Sequence, residues 1–193
     1  GTAVFGGGGG GGEFAEIYIS GSNLGSNTLV YVDIGVPGAG KEAAAGSPED
    51  GDDATNLVIK LNDTVSNTTV IELEGGKGGV YSDIGASYGT GGLGGGATTA
   101  ATISTGIGYT IPGGVGESGY ASGDDLNRLS AGSGGHSFLG TGGRAGNSQP
   151  ATNPITDGIN GGGGCGAGKD TSGTNTTWDG SDGGGGIVFI TFY

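Results

Sequence analysis

A phosphate-loop-like motif is the first feature of this chain that could support chemistry. The segment GVPGAGKE (35–42) matches the phosphate-binding loop pattern through Gly35, Gly40 and Lys41. Glu42 stands where Ser or Thr would ligate Mg²⁺, and no amphipathic helix follows to direct its N-terminus at a phosphate. The sequence therefore argues against a nucleotide site here.

An acidic turn at 47–55 (SPEDGDDAT) is the second feature. It gathers the carboxylates of Glu49, Asp50, Asp52 and Asp53 around one glycine, and oxygen ligands at such spacing can hold Ca²⁺. The turn lacks the full calcium-loop signature, including its distal bidentate Glu. A solvated acidic turn is the favoured interpretation, with a calcium site as the alternative, and no other cofactor is expected.

His136 is the one histidine of the chain and lies between glycine blocks, in GSGGHSFLGTGG. A nucleophile motif on a strand-to-helix turn would be needed to make it part of a catalytic triad, and the neighbouring sequence supplies none. We therefore expect a contact at a loop tip and no enzymatic activity.

Aromatic residues in the spacers between glycine blocks are the most informative candidates. Tyrosine and tryptophan supply large, rigid contact area at low entropic cost, and Trp178 could stack on a sugar ring. The alternative is that these rings cap a glycine core and anchor its loops. With His136, the candidate binding residues are Tyr88, Tyr109, Tyr120, Phe138 and Trp178.

Composition limits the kinds of partner that these residues could bind. The chain has a net charge of −13 with only 6 Lys and Arg, which argues against nucleic acid and against adsorption to anionic lipid. No stretch has the apolar length of a membrane span, so we expect no membrane insertion. The single cysteine, Cys165, is flanked by glycines and is interpreted as a small residue in a tight space.

The elements that must position these residues divide the 193-residue chain into three parts of one glycine-rich domain. Residues 1–74 are strand-rich, with period-2 patterns at 13–20, 27–34, 56–61 and 69–74. Residues 75–186 alternate glycine blocks with loops, and the apolar run IVFITFY (187–193) predicts a closing strand covered on both faces. No segment has the sequence pattern of an α-helix.

Glycine accounts for 53 residues, and the middle part has too few large apolar side chains for a conventional core. Polyglycine segments can adopt an extended helix with three residues per turn and no internal hydrogen bonds. Several such helices packed side by side would satisfy one another's backbone groups, because only glycine lets backbones approach so closely. We therefore predict a mainly β fold in which short strands at both ends of the chain flank a packed bundle of polyglycine II helices.

The order of these features resembles the glycine-rich domains of bacteriophage tail-fibre proteins and tail-tip adhesins. The most specific pieces are AVFGGGGGGGEFAE near the start, the junction IELEGGKGG and the closing GGGGIVFITFY. One departure is that the strand expected before the first glycine block is reduced to GTAVF.

The resemblance implies an extracellular virion protein at the end of a tail fibre. Its loops between the glycine blocks would bind a bacterial surface receptor, either an outer-membrane protein loop or a glycan. Its other partners would be fibre or virion subunits, including further copies of itself. The alternative is a structural virion or extracellular filament protein without receptor binding, but the long, varied spacers favour recognition.

Overall fold

The computed structural model describes residues 4–25, 29–41, 49–62, 67–82, 88–98, 101–121, 129–145, 155–169 and 177–191. Within them the chain is mainly β, and its one helix, α1 (Gly21–Leu24), is a single turn capped by the Ser20 side chain. The expectation of a mainly β chain with almost no α-helix is confirmed.

The strand-rich first part forms as its alternating sequence predicts. Strands β1 (Val4–Gly6), β2 (Phe14–Tyr18), β3 (Leu29–Asp33), β4 (Leu57–Asn62) and β5 (Asn67–Leu73) occupy the expected positions. Strands β3, β4 and β5 form an antiparallel sheet. The side chains of Leu61, Val70 and Ile71 are almost fully buried in this region, so it holds the conventional apolar core.

Shorter strands follow among the glycine blocks. They are β6 (Tyr81–Ser82), β7 (Tyr88–Gly89), β8 (Ile107–Ile111), β9 (Gly119–Ala121), β10 (Leu129–Ser130), β11 (Gly168–Lys169) and β12 (Thr177–Trp178). Strand β8 pairs with β2, while the other two sheets have the strand orders β12-β11-β1-β6 and β10-β9-β7.

The predicted closing strand at 187–193 is wrong for residues 187–191, the part of it that the structure describes. These residues form no strand and make no backbone hydrogen bond to the rest of the described chain. Phe189 is 76% exposed. An apolar run indicates a need for burial, but a strand also requires a neighbouring edge to accept its hydrogen bonds.

Between the sheets lie extended stretches joined side by side by backbone hydrogen bonds, which we call bundle segments. They are g1 (6–13), g2 (35–41), g3 (51–55), g4 (74–80), g5 (90–95), g6 (113–117), g7 (132–137), g8 (140–144), g9 (155–159), g10 (161–167) and g11 (180–184).

The hydrogen bonds of g1 repeat every three residues. Successive N–H groups of g1 donate to three different neighbours in turn. Gly6, Gly9 and Gly12 donate to g10, then Gly7, Gly10 and Glu13 to g4, and Gly8 and Gly11 to g6. Segments g5 and g7 donate back to g1, so g1 lies in the interior of the bundle.

Close approach explains why most interior positions must be glycine. A Cβ built on Gly10 would lie 2.0 Å from the carbonyl oxygen of Leu93, and one on Gly8 would lie 2.0 Å from that of Ser133. Real Cβ atoms do not approach backbone so closely. The bundle therefore excludes side chains at these positions and is held by backbone hydrogen bonds, each contributing about 1 kcal/mol net.

Candidate functional site

One end of the bundle collects the turns that follow the glycine segments. Strand β1 continues directly into g1 and pairs with β6 and β11. Strands β7 and β9 also contact β1. Two small sheets therefore lie together where g1 begins.

Side-chain contacts bring further turns to the same end. Phe5 and Ala131 are buried together, with Ala145 and Ile155 packed against them. The Asp50 carboxylate accepts a hydrogen bond from the Tyr81 N–H at 3.0 Å, which places the acidic turn beside β6.

These contacts define a surface that we call the loop end. Five connections begin and end at described residues of the loop end. The connecting residues themselves lie outside the described part of the chain, and they are 42–48, 83–87, 122–128, 146–154 and 170–176.

The opposite end of the bundle, which we call the sheet end, carries the β2–β8 pair and the β3–β4–β5 sheet. Segment g1 joins the two ends, entering from β1 and leaving into β2. An extended chain rises about 3 Å per residue, so g1 holds the two ends about 20 Å apart.

Among the candidate aromatic residues, Tyr88, Tyr120 and Trp178 belong to the loop end. Tyr88 of β7 stands opposite Tyr120 of β9, and the Tyr120 side chain is 50% exposed. Trp178 stands opposite Gly168 in the β11–β12 pair. The side chains of Tyr88 and Trp178 lie outside what the structure describes, so only their backbone positions are placed.

Tyr109 and Phe138 lie at the sheet end, where Phe14 joins them. The ring centroid of Phe14 lies 4.4 Å from that of Phe138 and 6.4 Å from that of Tyr109. Both outer rings are about half exposed. The sequence analysis did not include Phe14 among the candidate binding residues. Its position in the alternating strand at 13–20 could have identified it.

His136 lies between the two ends, in g7, with an exposed side chain. Its Nδ1 accepts a long hydrogen bond of 3.4 Å from the Gly142 N–H. The candidate receptor-binding residues therefore do not form one surface, because the bundle separates the loop-end group from the sheet-end group.

The hydroxyl of Tyr109 donates a hydrogen bond of 2.7 Å to the Glu16 carboxylate. This bond, with some desolvation and the Glu16 charge, raises the pKa of Tyr109. A raised pKa stabilises the fold below the ordinary tyrosine value of about 10, and the contribution is lost as pH rises through the folded-state value.

We therefore expect the thermal midpoint of the protein to fall as pH rises above about 10, in part through Tyr109. In Glu16→Gln, which removes the acceptor charge, the part of the fall that Tyr109 contributes should be smaller. Tyr109→Phe should lose this component altogether. Thermal melts at a series of alkaline pH values would measure it, and identical profiles for the three proteins would contradict the assignment.

The carboxylates of the acidic turn pair with lysine side chains and backbone N–H groups. Asp52 lies 2.9 Å from Lys41 Nζ, and Glu49 lies 3.9 Å from it. Asp53 accepts the Gly78 N–H at 2.8 Å and lies 3.5 Å from Lys77 Nζ. Among the described residues, no group of three or more His, Cys, Asp or Glu side chains comes together as a metal site.

Nearby carboxylates favour the charged form of Lys41 and Lys77. The hydrogen bond that Lys41 donates to Asp52 raises the pKa of Lys41, and the one that Lys77 donates to Glu74 is the main cause of the raised pKa of Lys77. In this arrangement the acidic turn fastens g2, g3 and g4 to one another.

Cys165 fills a tight space between g10 and g11, as its glycine-flanked sequence predicts. It is 5% exposed, and its N–H donates to the Ser181 hydroxyl at 2.8 Å. Burial raises the pKa of its thiol.

We expect Cys165 to react with a disulfide reagent such as Ellman's reagent at least about 100-fold more slowly in the native protein than in denaturant, because the thiolate is the reactive form and is here both disfavoured and enclosed. Release of the coloured thiolate product measures the rate. Equal rates in native buffer and in denaturant would show that the segment around Cys165 is open to solvent.

Among the described residues, no helix has the length and apolar character needed to cross a membrane. No protein-family model matches the chain, and no curated protein is significantly similar to it.

Proposed function

We propose that this protein is a receptor-binding adhesin of a bacteriophage tail fibre, and that its loop end binds a bacterial surface. The observation that carries the proposal is the return of successive connections to one end of a glycine-rich bundle. Recognition surfaces are commonly built from several loops that a rigid scaffold holds together.

The bundle segments are, in this proposal, polyglycine II helices. The three-residue repeat of hydrogen bonds along g1 supports this, because an extended helix with three residues per turn directs successive N–H groups about 120° apart. The close contacts at Gly8 and Gly10 support it as well. Such a scaffold depends on backbone alone, which leaves the loop sequences free to vary with the receptor.

The receptor is a loop of an outer-membrane protein or a glycan, bound by the loop-end residues Tyr88, Tyr120 and Trp178. Tyr120 is half exposed on its sheet. Glu49 and Asp50 of the acidic turn also belong to the loop end and are exposed. This combination suits a receptor that offers flat apolar or sugar faces with polar groups around them.

The sheet end attaches to other fibre or virion subunits, or to further copies of the chain. Large apolar side chains are exposed there, with Leu29 at 53%, Tyr31 at 51% and Phe189 at 76%. Leu29 and Tyr31 lie on one face of β3, and contiguous exposed apolar surface marks protein interfaces. The location that follows is the virion, outside the cell, with no catalysis, no nucleic acid and no membrane insertion.

The same exposed apolar residues favour the second candidate, a structural virion or extracellular filament protein that assembles without binding a receptor. The two candidates differ in what the loop end does.

Binding of the fluorescently labelled chain to a panel of bacterial strains separates them. The adhesin predicts saturable binding to some strains, displaced by excess unlabelled chain. Absence of binding to every strain, together with self-assembly of the purified chain, would favour the structural candidate.

A further inference from the structure

A closed ring of bundle segments surrounds a channel through the fold. Each segment is hydrogen-bonded to the next, as between Gly10 N–H and the Lys77 oxygen at 2.8 Å and between Gly183 N–H and the Gly38 oxygen at 2.9 Å. In order around the ring the segments are g1, g4, g3, g2, g11 and g10. The ring lines part of a cavity of about 880 Å³ that extends to the sheet end, where residues 187–191 also line it.

Three walls of the channel present backbone N–H groups. In g4, Lys77 and Val80 donate to g5, and Gly78 donates to the Asp53 side chain. The row that contains Gly76 and Gly79 must therefore face the remaining side, which is the channel that both residues line. By the same reasoning, two further rows of backbone N–H groups face the channel. They belong to Gly164 and Ala167 in g10 and to Gly38 and Lys41 in g2.

The alternate walls present carbonyl groups. In g1, the oxygens of Gly6 and Gly9 accept from g7 and those of Gly8 and Gly11 accept from g5, which leaves the row of Gly7 and Gly10. The corresponding rows are Asp52 and Thr55 in g3, and Ser181 and Gly184 in g11. All of these residues line the channel.

These donor and acceptor rows have no hydrogen-bonding partner among the described residues. Buried backbone groups are almost always paired, so a double set of unpaired rows along one channel is an unusual feature. Donor and acceptor walls alternate around the ring. An extended strand of this type directs its own N–H and C=O groups alternately in six directions around its axis. One more such strand in the channel could therefore pair its C=O groups with the donor walls and its N–H groups with the acceptor walls.

The space in the channel has the right character for such a strand. A Cβ on Gly9 would have its nearest neighbour at 3.5 Å, and the same distance holds for Gly51 of g3, another wall of the channel. A Cβ built on Gly7, Gly8, Gly10 or Gly11 would instead point at another segment, with the nearest atom at 2.0–2.3 Å. The channel side of g1 is therefore the side that no other segment packs against.

We propose that this channel binds an extended glycine-rich strand of another polypeptide, which completes the bundle and joins the two proteins. The strand must be glycine-rich because, at the spacing of the other bundle segments, a Cβ would meet neighbouring backbone as it would at Gly8 and Gly10, where the nearest atom is at 2.0 Å. This inference rests on the three-residue packing proposed above but not on receptor binding. It assigns the joining of subunits to the interior of the bundle in addition to the apolar sheet end.

A labelled peptide of about eight glycines between lysine pairs tests the proposal by fluorescence anisotropy with the intact chain. We expect saturable binding, and at least about tenfold weaker binding of a matched peptide with valine at every third position. Gly9→Val, which places its side chain in the channel, should weaken binding at least about tenfold. Gly185→Val should not, because a Cβ on Gly185 has no atom within 4 Å.

If Gly9→Val fails to fold, Gly51→Val tests the same channel from the wall formed by g3. Equal binding by the wild type and a folded channel variant would overturn the proposal, as would absence of binding by a wild type that melts cooperatively. A Trp178→Ala variant should still bind the peptide but should lose binding to bacterial cells. Loss of peptide binding alone would therefore be distinguishable from failure of the adhesin proposal.

Discussion

Gly10→Ala is expected to destabilise the protein by about 3–5 kcal/mol, a large share of the 5–15 kcal/mol by which ordinary domains are stable. The new methyl carbon would lie 2.0 Å from the Leu93 oxygen and 2.3 Å from its carbonyl carbon. Both atoms belong to backbone that is hydrogen-bonded to the Lys77 N–H, so relief requires moving a segment. Overpacking alone costs about 1–3 kcal/mol, and each broken hydrogen bond adds about 1 kcal/mol.

Gly9→Ala is the matched control, one residue away in the same segment. Its Cβ would meet nothing closer than 3.5 Å, and its backbone is not in the left-handed region. Alanine also reduces the entropy of the unfolded chain, which favours the fold by about 0.4–1 kcal/mol at a compatible site. We therefore expect no loss of stability.

Denaturant unfolding of both variants measures the difference in the free energy of unfolding. Gly8→Ala and Gly12→Ala extend the test, because a Cβ would lie 2.0 Å from the nearest atom at Gly8 and 3.6 Å at Gly12. The expected pattern has a tolerant position every third residue. Similar losses at Gly9 and Gly10 would contradict the packing described for g1.

Tyr120→Ala and Trp178→Ala are expected to weaken binding to a susceptible strain by about 30-fold or more each. Aromatic residues at the centre of an interface typically contribute about 2 kcal/mol or more when truncated. Tyr109→Ala is the matched control at the sheet end, and we expect less than about a twofold change in cell binding.

Cell-binding titrations with each labelled variant measure these affinities, and thermal melts confirm that the variants are folded. A larger loss for Tyr109→Ala than for the loop-end variants would move the receptor site to the sheet end. No loss for any of them would favour the interpretation that the aromatic residues only anchor the bundle.

Local sequence was sufficient to predict strands β2, β3, β4 and β5. Their alternation of apolar and polar residues is a property of adjacent positions, and β2, β3, β4 and β5 follow it closely. The requirement for backbone-held packing was also predictable, because so many glycines leave no other way to fill an interior.

The neighbours of each glycine segment were not predictable in the same way. One glycine block is chemically almost the same as another, so nothing in GGKGG or GGLGGG indicates which segment it will lie beside. Apolar side chains normally specify register, and here they are absent. The order of g1, g4, g3, g2, g11 and g10 around the channel became visible only in three dimensions.

The division of the aromatic candidates between two ends has a related cause. Tyr109 and Tyr120 flank g6 and are close in sequence, but a segment that crosses the bundle carries the chain from one end to the other. Spacing along the chain therefore grouped residues that the fold separates. It also left out Phe14, which is distant in sequence from the two rings that it contacts.

Replacing the loop-end connections one at a time tests the central claim most directly. Residues 42–48, 83–87, 122–128, 146–154 and 170–176 would each be exchanged for a short Asn-Gly-containing turn, and binding to a susceptible strain measured for every folded variant. We predict that stability changes little and that one or more exchanges abolish binding. Full binding by all of the exchanged variants would contradict the account, because the bundle would then recognise the cell without its loops.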